Sequence, residues 1–463
     1  MKKLTYLAVS ISIATSIALQ GCVSSPDRQE TAKTAVNESL GDVPTNWSSI
    51  AERVGTVESG WLSSLNDPLL TSLVMEAQKN NYNLQAAAQN VNVSRALVTQ
   101  AGSALSPQLG FSTGGSDAGA LEGSSSGSLN ANLQASWELD IWGRLAAGEN
   151  AAVQSLKAAE AEYVFTQYSL AAGVSKAYFV SIEAIKQTEL TQMTFDAVAE
   201  TMRITKVQFD NGLADQQDIA LAKAEVASAE DALIASKGAQ RDAIRSLELL
   251  LGRYPSAELT IEAKLPNVPA APSPGIPSEL LERRPDLIAA ERQVAAAFNK
   301  LDQAQAAKLP SVSLTGSLGG SSSSLSSLLN PANLAWQAIG SIAAPILDGG
   351  RLDAQVEAAN AEQKAAVASY AQTALSAFSD VETALDLGQV LRQREVALVQ
   401  SLESSEEALR IANLRYQEGE TSLLEVLQIQ QRVFSARRNV LSINRALLTQ
   451  FIDLNLALGG NWQ

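Results

Sequence analysis

Residues 143–165, GRLAAGENAAVQSLKAAEAEYVF, and residues 350–372, GRLDAQVEAANAEQKAAVASYAQ, open two copies of one pattern. With a constant shift of 207 residues and no gap, Gly143–Gly252 lies over Gly350–Gly459. The copies agree at Gly-Arg-Leu, at Lys157 and Lys364, at Tyr163 and Tyr370, at Arg203-Ile204 and Arg410-Ile411, and at Leu251-Gly252 and Leu458-Gly459. Phe209 falls on Tyr416, and Gly212 on Gly419. Neither copy contains proline, both are rich in Ala, Leu, Gln and Glu, and each has a single turn signal near its middle. Each copy therefore reads as a helical hairpin.

The lengths within a copy constrain what surrounds it. Gly143 to Asp210 is 68 residues, about 100 Å of helix, and a helix that long needs partners along its whole length. The return arm, Leu213 to Gly252, has 40 residues, roughly 60 Å. A short helix stacked end to end on the return arm covers the remainder. Its sequence is Tyr82–Ser106 in the first copy and Pro285–Leu309 in the second, matched at a shift of 203 with Leu84 on Leu287 and Pro107 on Pro310. An ordinary helical repeat array needs at least about three units to bury its faces. Two units imply that other copies of the chain supply the rest.

Composition removes several classes of function. The chain of 463 residues carries a net charge of −15 with no His and one Cys. An acidic chain without basic runs argues against nucleic acid. Without His, and with its single Cys at position 22, it offers no His-assisted nucleophile, no His/Cys metal site and no cofactor motif. An enzyme is the least supported reading, and four Met without His give little support to soft-metal export.

Residues 1–21 read as an export signal, with Lys2 and Lys3 before an apolar run from Leu4 to Leu19 that is too short to span a bilayer. The signal ends in Leu19-Gln20-Gly21-Cys22, which resembles the bacterial lipoprotein box, so Cys22 is the expected site of acylation. Residues 22–66 read as a polar tether wrapping a surface, with Pro26, Pro44, Trp47 and Trp61 and no long period. The first repeat then runs from 67 to 252, and Asp67-Pro68 suits a helix start.

Inside each repeat the period switches from helical to two. Leu129, Ala131, Leu133, Ala135, Trp137, Leu139 and Ile141 alternate strictly with polar residues, predicting a strand. With Leu109 and Phe111 it forms a hairpin over about 107–141; the second repeat, 285–463, places a looser one over about 310–347. Leu129, Leu133, Trp137 and Leu139 are expected to face lipid, with Trp137, Trp142 and Trp336 as interfacial anchors. An open sheet edge is not tolerated in lipid, so four strands per chain require oligomerisation. Two copies give eight strands and a filled interior, and three give twelve and a lumen. The linker 253–284, with six prolines, is expected to be free of helix and to form a belt outside the barrel.

Several stretches together resemble the TolC-like outer membrane factors, in particular the lipoprotein branch that serves resistance-nodulation-division pumps. They are Asp67-Pro68-Leu69-Leu70, Asn80-Asn81-Tyr82-Asn83-Leu84, Arg283-Arg284-Pro285-Asp286-Leu287, Leu347-Asp348-Gly349-Gly350-Arg351-Leu352, the turns near Gly212 and Gly419, and Leu458-Gly459-Gly460-Asn461-Trp462. The resemblance implies a mainly α fold with a membrane β part. In it, a homotrimer builds a 12-stranded outer-membrane β-barrel, four strands per chain, continued by a long periplasmic α-helical barrel. It also implies a periplasmic membrane-fusion adaptor and an inner-membrane transporter as partners, and a passive exit duct whose periplasmic aperture opens on docking.

By the same resemblance, Gly212-Leu213-Ala214 matches the tip offered to the adaptor, whereas Gly419-Glu420-Thr421 departs from that motif. Arg415 and Leu424 look like residues that constrict the aperture. Asp218 and Glu425 hold matched positions, with Asp215 nearby, and under threefold symmetry they would form acidic rings; a solvated helix face accounts for isolated acids equally well. At Gln428 many relatives carry an aspartate, so no acid gate is implied there. Two other readings are a structural coiled-coil tether, which gives no reason for the alternating strand, and a duct for secreted polypeptides.

Overall fold

The computed structural model describes residues 28–41, 43–49, 60–119, 121–122, 125–328 and 330–462. Cys22 and the export signal lie outside them. In chain order the helices are α1 (Arg28–Leu40), α2 (Trp61–Ser64), α3 (Pro68–Asn80), α4 (Tyr82–Ser103), α5 (Arg144–Asp210), α6 (Gln216–Leu250), α7 (Pro277–Arg283), α8 (Pro285–Ala306), α9 (Leu325–Leu328), α10 (Arg351–Gln417) and α11 (Leu423–Ala457). The strands are β1 (Gln108–Gly119), β2 (Ser125–Leu139), β3 (Ser311–Ser322) and β4 (Leu334–Ala343). The long helices α5 and α10 have 67 residues each, and the return helices α6 and α11 have 35 each. No helix among the described residues is long and apolar enough to cross a membrane.

The chain folds into two compact units, and each draws on both sequence repeats. One holds α1, the stretches Gln89–Ala161 and Ile288–Thr373, and hence the whole sheet. The other holds the chain up to Ala88 from residue 43, Glu162–Leu287 and Ala374 onward. Its core joins Trp61, Leu70 and Val74 to Val174, Phe179 and Ile182 of α5, Leu247 and Leu251 at the end of α6, and Leu448 and Ile452 of α11.

End-to-end stacking of short and return helices is built by the same device in both repeats. Asn81 donates its side-chain N–H to the carbonyl of Leu250 at 2.9 Å while its oxygen accepts from the N–H of Leu84, capping α4. At the matched position Arg284 reaches the carbonyl of Ala457 at 3.4 Å. Each return helix thus has a terminal carbonyl satisfied by the residue that opens the next helix. Gly252, at φ 75°, is needed for this approach, since a Cβ there would lie 2.6 Å from the carbonyl oxygen of Asn80.

Four expectations are corrected. The tether is not irregular throughout: α1 forms because Ala32 and Val36, one turn apart, bury completely or nearly so, and Arg28 forks onto Asp302 at 2.5 and 2.8 Å. Tertiary burial supplies what the polar sequence lacks. The proline-rich linker does contain helix, because Pro277 occupies the first turn of α7, where its missing N–H would have no partner anyway. Strand β2 stops at Leu139, short of Ile141, because the Asp140 carboxylate turns away to accept from the N–H groups of Leu145 and Ala146 at 3.0 and 2.8 Å. Strand β4 ends at Ala343 instead of Leu347, two residues before Pro345, which has no N–H to give a ladder.

Farther along the tether, the indole N–H of Trp47 donates to the carbonyl of Gly275 at 3.0 Å, and its ring stands edge-on to Phe378. The backbone N–H groups of Ser48 and Ser49 donate to the Glu382 carboxylate at 2.7 and 2.9 Å. Burial pushes this carboxyl upward, but the hydrogen bonds from Ser49 and Ser48 outweigh it and leave it below the usual range. A depressed folded value means that the contribution is present above the unfolded value, about 4, and is lost as pH falls through the folded one. Limited proteolysis should therefore release the segment around Trp47 faster at pH 3 than at pH 7, and Glu382→Gln should release it at both.

Candidate functional site

The sheet is antiparallel in the order β1-β2-β3-β4, leaving β1 and β4 as open edges. Its register sorts side chains by chemistry. Leu133 stands opposite Phe111 and Leu318, Leu318 opposite Trp336, Trp137 opposite Leu314, and Leu139 opposite Val312, which has Ile342 on its other side. Because paired residues share a face, these residues, with Leu109 and Leu129, form one apolar surface. Asn130, Asn132, Gln134 and Ser136 of β2 alternate onto the other face, beside Ser112 of β1 and Ser313, Thr315 and Ser317 of β3. Ile339 is the one large apolar residue there, opposite Thr315.

All four residues expected to face lipid thus share the apolar face, half-buried (Leu129, Leu139) or exposed (Leu133, Trp137). Trp137 and Trp142 are pinned by their indole N–H groups to the carbonyls of Leu105 and Pro310, at 2.9 and 2.7 Å. On the polar face the one charged strand residue of β2, Glu138, is matched by Arg144, whose Nη2 donates to both carboxylate oxygens at 2.7 and 2.8 Å.

The hairpin tips lie in the other unit. Gly212 and Gly419 have φ of 74° and 78°. Each ends its long helix in a Schellman arrangement, with Leu213 N–H donating to Gln208 O and Glu420 N–H to Arg415 O, both at 2.8 Å. Helix capping accounts for both glycines. Leu213 is 80% exposed beside a half-buried Ala214, so the first tip presents an apolar side chain to solvent.

The acids beyond the tips also serve as caps. Asp215 accepts from the N–H groups of Gln217 and Asp218, and Asp218 returns the bond to Asp215 N–H at 3.1 Å, completing a capping box. At the second tip Ser422 caps α11 through Glu425 N–H, and Glu425 accepts from Thr421. Both matched acids therefore sit at the third residue of a helix, where the N-terminal dipole favours them. Arg415 lies 3.7 Å from Glu420, a solvent-exposed pair of its own tip. Leu424, Glu425 and Gln428 share one exposed face of α11.

Reading by motif missed the polar contacts that join the two hairpins behind the tips. Tyr416 donates to Gln208 Oε1 at 2.6 Å with the Thr205 hydroxyl at 3.4 Å, and Gln430 donates to the Thr201 hydroxyl at 3.3 Å. The repeat alignment held one clue, since Tyr416 replaces Phe209 and brings a hydroxyl that an apolar position does not need.

Residues 73–253 and 276–460 match the family model described as outer membrane efflux protein. The chain is 32% identical over 462 residues to the cation efflux system protein CusC of Escherichia coli O6:H1, with 97% of each chain covered. It is 30% identical over 418 residues to the pyoverdine export outer membrane protein OpmQ of Pseudomonas aeruginosa, with 87% of each covered. Among solved structures, the outer-membrane channel OprN superposes with a TM-score of 0.84 at 28% identity, covering 92% of this chain and 98% of that one.

Proposed function

Since this chain belongs to the outer membrane efflux protein family, whose model spans both of its repeats, we propose that it acts as one third of a passive exit duct anchored by an acylated Cys22. The observation that carries the trimer is the sheet. Its apolar face suits hydrocarbon and its polar face suits water, while β1 and β4 keep unpaired backbone groups that lipid cannot satisfy. Pairing β1 of one copy with β4 of the next closes the ring, and three copies leave a water-filled lumen lined by the Asn, Ser, Gln and Thr face.

The tips, Gly212-Leu213-Ala214 first and Gly419 second, receive a periplasmic membrane-fusion adaptor, which joins the duct to an inner-membrane transporter of the resistance-nodulation-division type. Exposed Leu213 is the apolar anchor of that contact. Relatives of similar length carry names that point to different cargoes, a cation and pyoverdine. A duct without a binding site accommodates both, since the energised pump selects what enters. The coiled-coil tether reading leaves the two-faced sheet without a purpose.

Two measurements test this reading. Purified in detergent, the acylated protein should have three times the chain mass and give ion conductance in planar bilayers; a monomer without conductance contradicts it. In the same bilayers Asp218→Ala with Glu425→Ala should reduce cation preference, and an unchanged reversal potential removes these acids from the pathway.

A further inference from the structure

The two hairpins of the sheet share one register and end differently. Shifted by 203 residues for β1 onto β3 and by 207 for β2 onto β4, the pairing of the first hairpin becomes that of the second without a slip. At the end away from the long helices, the first hairpin closes with Gly119 opposite Ser125. The second ladder ends with Gly320 opposite Leu334, and the chain between them carries α9 and a 3₁₀ turn, Pro331–Asn333. This longer loop folds back: α9 packs on β2 and β3, and the 3₁₀ turn on β3. Gly320 identifies the face it covers. Its partners Ala131 and Leu334 put it on the apolar side, and a Cβ there would lie 2.8 Å from the carbonyl oxygen of Leu328 and 3.0 Å from that of Asn333. The loop backbone is thus seated on the apolar face, over a glycine.

Three observations bear on what surrounds this loop. Leu328 is buried, whereas Leu325, one turn earlier on the same side of α9, is 75% exposed; the sheet does not cover it. Charge is absent: residues 309–347 contain no Asp, Glu, Lys or Arg, although such residues make up 18% of the chain and residues 107–141 carry Asp117, Glu122, Glu138 and Asp140. The polar groups of the loop bond to one another. The carbonyl of Ser327 accepts from Asn330 N–H at 3.1 Å and from Asn333 Nδ2 at 2.7 Å, Asn330 Oδ1 accepts from Ala332 N–H at 3.1 Å, and the hydroxyls of Ser322 and Ser324 both meet that of Ser327. A loop in water has no need of such closure; one beside hydrocarbon does, because backbone groups there find no water.

We propose that α9 and the 3₁₀ turn form a neutral collar on the lipid side of the wall, seated among outer-leaflet lipids where acyl chains give way to headgroups. The proposal rests on the reading of the apolar face as the lipid face, and it names the lipid region this loop meets. Leu325 enters the acyl boundary, and Trp336, 79% exposed on the same face, is an aromatic of the kind that settles at that level. Without charge, the collar is held by apolar contact and by hydroxyl and carboxamide groups facing glycerol and sugar oxygens. Seated outside the wall, it leaves the mouth of the lumen clear.

Spin labelling of the full acylated protein in phosphatidylcholine liposomes tests it. Cys22 is the chain's one cysteine, and acylation blocks it, so an introduced cysteine is the only thiol free to take a nitroxide. Labels at Leu325→Cys, Leu133→Cys and Glu122→Cys are compared for relaxation by oxygen, which concentrates in hydrocarbon, and by a neutral nickel chelate, which stays in water. The oxygen-to-nickel ratio at 325 should lie below that at 133 and at least about fivefold above that at 122, the loop of the first hairpin. Gly320→Val drives a side chain against the Leu328 carbonyl, and should lower the ratio at 325 to that at 122 while leaving 133 unchanged. A ratio at 325 equal to that at 122 with 133 still in lipid overturns the collar, as does a ratio at 325 that Gly320→Val does not move. If 133 itself reads as aqueous, the assignment of the apolar face to lipid fails, and the collar with it.

Discussion

Leu133→Lys is expected to keep the protein out of the membrane, whereas Asn132→Lys, the next residue of the same strand, is expected to leave assembly intact. The difference follows from the register. Leu133 lies between Phe111 and Leu318 on the apolar face, while Asn132 pairs with Ser112 and Gly319 on the polar one. In the proposed duct this apolar face meets lipid, where a lysine near the bilayer midplane costs about 2–4 kcal/mol, and the proposed trimer incurs the cost three times, about 6–12 kcal/mol in all. That is comparable to the whole stability of an ordinary domain, about 5–15 kcal/mol. On the polar face, the lumen side of the proposed duct, the same ammonium meets water and neighbouring hydroxyls, so its effect should appear as a shift of ion preference towards anions. Membrane fractionation followed by urea extraction separates the cases. If Asn132→Lys is the variant extracted and Leu133→Lys the one retained, the faces have been assigned the wrong way round.

What could be read without coordinates was whatever repeats with a short period or occurs twice. The alternation from Leu129 to Leu139 fixes a face because a strand offers two sides, and every second residue obeys the pattern. Gly212 and Gly419 announce reversals because the left-handed backbone there favours glycine. The long helices were legible from the absence of breakers. By contrast, α1 is polar overall and exists because Ala32 and Val36 find a surface, which local sequence does not encode. The contacts of Tyr416 with Gln208 and of Gln430 with Thr201 join positions more than two hundred residues apart, and no spacing rule links them. At the tips the sequence offered two roles for Asp215 and Asp218, and the capping box supplies the local one.

Arg284→Ala should be the most damaging single change in the helical unit. This side chain is 7% exposed, and its guanidinium donates to Asp286 at 2.8 Å and Asp380 at 3.0 Å and reaches the terminal carbonyl of α11 at Ala457. Burial works against its charge, and the two carboxylates outweigh that effect and raise its pKa. Truncation leaves Asp286 largely buried and without its cation, a loss of about 3–5 kcal/mol for a broken buried pair. Asp380 is 55% exposed and will be rehydrated, so the lower end of that range applies. The first repeat supplies the control. Asn81 performs the matched junction with a neutral amide, and Asn81→Ala should cost only about 1–2 kcal/mol, a cap and a carbonyl bond. Arg284→Asn should fall between the two, since it can restore the bond to Ala457 but leaves the carboxylates unmatched. Urea unfolding of the three variants in detergent gives the order. If Arg284→Ala proves no worse than Asn81→Ala, the acids around Arg284 contribute nothing to the junction, and the two repeats are joined by backbone geometry alone.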